Sequence, residues 1–151
     1  MKRRQVWQYS CDFCGKKRLS ASHMARHEKH CTLNPNRECR VCRMVADERP
    51  ADFVQLPVSA LVALLPDSTD FWKEQKDREN MWDYCPAEDA LKEAAIGALP
   101  ALRQAAGDCP ACIMAALRQA KIPVPMVDGF SFKKEMEEIW SCINEAQASY
   151  Y

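Results

Sequence analysis

Six of the nine cysteines fall in three C-x-x-C pairs, Cys11/Cys14, Cys39/Cys42 and Cys109/Cys112. A two-residue gap lets two thiolates converge on one ion at about 2.3 Å. Twelve residues separate Cys14 from His27, and three separate His27 from Cys31. Residues four apart on a helix project from one face, so His27 and Cys31 can complete a tetrahedral shell with Cys11 and Cys14. A closed shell of four protein ligands builds structure rather than catalysing a reaction. His23 and His30 are rival ligands. Pairing His23 with His27 leaves Cys31 idle and shortens the loop to eight residues, and His30 in place of Cys31 requires a looser final turn. Glu28 follows His27 but Cys31 stands where H-E-x-x-H needs its second histidine, which argues against a zinc protease.

Cys39 and Cys42 read as a second knuckle, and Cys109 and Cys112 open a helix that Asp108 would cap, with Pro110 in its first turn. Thiolates suit a helix start, where free N–H groups and the dipole favour negative charge. The four together predict a second metal site, although 66 residues separate Cys42 from Cys109. Cys85, before Pro86, and Cys142, beside an apolar helical stripe, carry no ligand expectation, and Cys142 is expected to pack in the core.

The segment Tyr9 to Cys31 resembles the classical ββα zinc finger, in the variant with cysteine as the last ligand. Tyr9 stands two residues before the first cysteine, Gly15-Lys16 follow the second, and Met24 takes the helix leucine position. Arg18 or Leu19 replaces the usual phenylalanine, which weakens the small core. The resemblance implies base-reading positions at Ser20, Ser22, His23 and Arg26. It leaves Lys16, Lys17, Arg18 and Lys29, with Lys2, Arg3 and Arg4, to meet phosphates. The second cysteine set resembles a treble-clef site with helices inserted between its halves. Cys109-Pro110-Ala111-Cys112 also resembles the active motif of glutaredoxin-like proteins, so thiol redox chemistry stands as a minor alternative. That fold needs strands around the motif, whereas the residues from Ala98 to Ala106 read as helix.

Helices are predicted near 58–65, 69–83, 87–105, 109–120 and 131–148. The second, capped by Asp67 or Ser68, would present Phe71, Trp72 and Trp82 to the core. The third would be broken or kinked at Pro100. The last would carry Phe132, Met136, Ile139, Ile143 and Ala146 on one face. Residues 53–56 suggest a short strand, with a hairpin closed by residues 47–51 and Pro50. The expected fold is therefore mainly α with small zinc-knuckle and β-hairpin elements. An N-terminal ββα finger, residues 1–31, would join a zinc-stapled helical domain, residues 32–151, with two zinc ions in all.

The formal net charge of zero hides a division. Residues 1–43 hold eleven Lys or Arg against three acidic residues, and residues 44–151 hold ten against eighteen. The basic part suits nucleic acid and the acidic body suits a protein partner. The histidines all lie in the finger, leaving residues 43–108 without one for an HNH-type nuclease, so no enzyme is expected. Two readings stand: a nucleic-acid-associated zinc protein, or a structural adaptor in a larger, for example viral, assembly. Neither a signal-peptide pattern nor a membrane-length apolar run is present. The expected location is therefore intracellular, cytoplasmic or, in a eukaryote, nuclear.

Overall fold

The computed structural model describes residues 6–46, 49–50, 52–78 and 84–148. A two-stranded antiparallel hairpin, β1 (Tyr9–Ser10) and β2 (Lys17–Arg18), pairs Tyr9 with Arg18 and Ser10 with Lys17. Gly15, at φ 68°, supplies the left-handed residue that lets the chain turn back. Helix α1 (Ala21–His30) follows, its first turn held by Ser20, whose side chain accepts from the His23 N–H. Met24 is buried with Cys11 and Cys31, and among the described residues these three form the core of this unit. Leu19 is 68% exposed and Arg18 is exposed too, so neither substitutes for a core aromatic.

The remaining helices are α2 (Arg40–Met44), α3 (Val58–Val62), α4 (Thr69–Asp77), α5 (Pro86–Ala106), α6 (Pro110–Gln119) and α7 (Phe132–Ala148). Among them α6 is central: Ile113, Ala115, Ala116 and Leu117 are fully buried, and it packs against α3, α5 and α7. Its small alanines let neighbouring helices come close, while Leu61, Leu102 and Phe71 fill the space around it. Ser68 is buried and spends its hydroxyl on the Ala120 carbonyl at 2.7 Å, joining the start of α4 to the end of α6. Asp67 instead accepts from the Thr69 N–H at the α4 start. None of the described helices is long and apolar enough to cross a membrane.

Several expectations change. Helix α5 runs unbroken through Pro100, which is exposed; proline removes one ladder donor, and the rest of the 21-residue helix carries the chain past it. Asp108 does not cap α6. Gly107 and Asp108 both take positive φ as α5 ends, so Cys109 becomes the N-cap residue. Residues 53–56 are not a strand, because no partner strand lies beside them among the described residues. Trp72 is 46% exposed, with its indole N–H donating to Lys121 O at 2.7 Å and its ring edge-on to Phe71. Cys142 is exposed rather than packed in the core. Trp82, Asp47 and Ala51, and Lys2, Arg3 and Arg4 lie outside the described residues.

Candidate metal centres

The first cluster is assembled by the hairpin and α1. The Cys11 N–H donates to Lys16 O and the Gly15 N–H to Cys11 O, both at 2.9 Å, which curls residues 11–16 into a tight loop. That curl brings both thiols to the C-terminal half of α1. Glu28 locks the two parts together, its carboxylate accepting from the Asp12 N–H at 3.0 Å. As a result the donor atoms of Cys11, Cys14, His27 and Cys31 all lie within 4.8 Å of one another, with Cys14 Sγ 3.2 Å from His27 Nε2. The rivals stand outside this cluster. His23 is exposed one turn earlier on α1, and His30 donates from Nδ1 to Glu38 O at 2.9 Å.

The second cluster joins two helix starts. Cys39 is the N-cap residue of α2 with Cys42 in its first turn, and Cys109 and Cys112 hold the same positions on α6. The spacing read as a knuckle is therefore also a helix start. All four thiols are buried and lie within 4.8 Å of one another. Cys39 Sγ is 3.6 Å from Cys109 Sγ, and Cys42 Sγ is 3.4 Å from Cys112 Sγ. A tetrahedron with sulfurs about 2.3 Å from its centre has edges of about 3.8 Å. The thiols are thus already close to the separations that one ion would impose.

Protons are shared unequally in both clusters. Cys14 is brought down to about 7: burial opposes its ionisation, but hydrogen bonds from His27, the Lys16 backbone, Cys11 and Cys31 outweigh it. Cys31 is pushed up, chiefly by burial. In the second cluster Cys39 is held far below the usual thiol range by hydrogen bonds from Cys109, Cys112 and Cys42. Cys42 is lowered to about 7, first by Cys109 and then by Cys112. Cys112 is pushed far up by its hydrogen bonds to Cys109, Cys39 and Cys42. A divalent cation replaces such shared protons when thiolates bind it.

Two further donors face the second cluster, and no spacing in the sequence announces them. The Arg49 guanidinium donates to Cys42 Sγ at 3.4 Å, and the Gln55 amide donates to Cys112 Sγ at 3.7 Å. Arg49 also lies over the Phe53 ring, 4.6 Å from its centroid. Phe53 in turn packs on Gly107, where an added Cβ would come within 2.6 Å of the ring. The segment expected as a strand is thus a strap held by side chains across the second cluster.

The positions suggested for nucleic-acid contact lie on the hairpin and α1. Lys16, Lys17, Arg18, Ser22, His23 and Arg26 are exposed; Ser20 is half-buried and occupied as the α1 cap. Lys29 is exposed but paired with Glu38 at 2.8 Å. Comparison with protein-family models, curated proteins and solved structures found no match to this chain.

Proposed function

We propose that this chain is a non-enzymatic binding protein stapled by two zinc ions, and that its basic N-terminal face carries nucleic acid. The metal reading rests on two preformed clusters, one of three cysteines with a histidine and the other of four cysteines. Thiolate and imidazole donors in tetrahedral fours suit zinc, and four protein ligands leave no open position for water or substrate. The ββα order around the first cluster supports a classical finger with a terminal cysteine. The second has two helix starts and, among the described residues, no hairpin knuckle, so its kinship with treble-clef sites extends only to the donor set and the α6 half. Burial of Cys109 and Cys112, and a helix rather than a strand before them, favour metal over thiol exchange.

The observation that carries the nucleic-acid reading is the unshielded basic face over Lys16, Lys17, Arg18, His23 and Arg26. A lone finger has a small footprint, so contacts to phosphate dominate its binding. The adaptor reading draws on exposed apolar side chains, Val6 and Trp7 near the hairpin and Trp140 on α7. Titration of labelled duplex and single-stranded oligonucleotides at rising salt separates the two. Binding that weakens steeply with salt, and that K16A/K17A/R18A weakens alike on every sequence, supports the first reading. Absence of binding even at low salt transfers the assignment to the adaptor.

A further inference from the structure

Two exposed cations beside the clusters are ion-paired: Lys29 and Arg43 share Glu38, each at 2.8 Å. Arg18, Arg26 and Arg40 differ, because among the described residues none of them has an ion-pair partner. These three arginines line one concavity of about 380 Å³ together with His23, His27 and His30. Among the described residues no carboxylate lines it. Three like charges around one hollow repel each other, and an anion relieves that repulsion.

The hollow belongs to neither metal unit alone. Arg18 and Arg26 come from the hairpin and α1, whereas Arg40 follows Cys39 on α2. Their relative placement is fixed at the joint. His30 Nδ1 donates to Glu38 O, the Glu38 N–H donates to Lys29 O at 2.8 Å, and Glu38 bridges Lys29 and Arg43. Planar guanidinium forks match the oxygens of a phosphate group better than a point charge does.

We propose that this shared concavity is a phosphate site in which Arg40, carried by the second metal unit, closes a grip begun by Arg18 and Arg26. Resting on the nucleic-acid reading above, its occupant is a backbone phosphodiester; a free polyphosphate offers the same chemistry. The zinc-loaded full chain is titrated by calorimetry with pyrophosphate, and separately by anisotropy with a labelled duplex. Arg40→Gln and Arg26→Gln are compared with Lys133→Gln, which removes an equal charge from the exposed face of α7. Each arginine variant should keep two metal ions yet bind pyrophosphate about tenfold or more weakly. Lys133→Gln should stay near wild type. On the duplex, Arg40→Gln should also lower the slope of log affinity against log salt by about one. Pyrophosphate binding that depends on Arg40, without duplex binding, upholds this site and sinks the nucleic-acid reading. Duplex binding indifferent to Arg40→Gln, or no pyrophosphate binding at low salt, overturns the site.

Discussion

Arg49 sits seven residues from the thiol it serves, and its hydrogen bond to Cys42 addresses a charge problem. Four thiolates around a dication would leave a net negative centre, buried between the starts of α2 and α6. A guanidinium N–H on one sulfur and the Gln55 amide on another spread that charge. Partners behind the ligands of a metal site typically contribute about 10–100-fold to affinity. Arg49→Leu should therefore speed zinc loss from the second cluster to a chromophoric chelator by at least about tenfold. The first cluster, with no contact to Arg49, serves as the internal reference. Equal release from both clusters before and after the change would show that Arg49 only packs on Phe53.

At the scale of elements, Arg103 ties α5 to α7. Arg103 grips Glu135 with two nitrogens at 3.1 and 2.7 Å and donates to Gly129 O at 2.9 Å. Both side chains of the pair are more than two-thirds buried, so removal of one strands the other. Arg103→Met should cost about 1–3 kcal/mol, a fall in melting temperature of several degrees by scanning fluorimetry. An unchanged melting temperature would mean that α7 is held by Met136 and Ile139 alone. Helices α3 to α7 were legible in the sequence because proline, glycine and apolar spacing act locally, although α3 ends at Val62 and α4 at Asp77, short of the expected 65 and 83. Pro86 and Pro110 open α5 and α6, and Gly107 ends α5. The misread elements depend on distant partners. Cys39 to Met44 looked like a knuckle because C-x-x-C suits a tight turn or a helix start equally. Phe53 to Leu56 had the composition of a strand, yet its side chains answer to Arg49, Gly107 and Cys112 instead. Cys142 followed an apolar stripe that the remaining helices do not fully cover.

Across the whole molecule, the segment between the clusters is strapped down rather than free. Gln119 donates to the carbonyls of Thr32 and Asn34 at 2.9 and 3.1 Å, and Arg37 donates to Ala111 O at 2.9 Å. Asn34, buried, turns back to donate to Glu28 O at 2.8 Å. The chain's basic N-terminal part is thereby held against the helix that carries two thiols of the second cluster. Both candidate sites were legible as cysteine pairs. The four-cysteine set across 66 residues was expected as well; its construction from two helix starts brought face to face is what only the fold supplies. The account stands on two closed metal sites in one chain. Native mass spectrometry of protein purified without chelator reads the metal count and the thiol state in one mass. Two zinc ions on fully reduced protein are expected, falling to one in both Cys31→Ser and Cys112→Ser. A single ion in the unaltered chain, with a mass two hydrogens lighter from a Cys109–Cys112 disulfide, would contradict it.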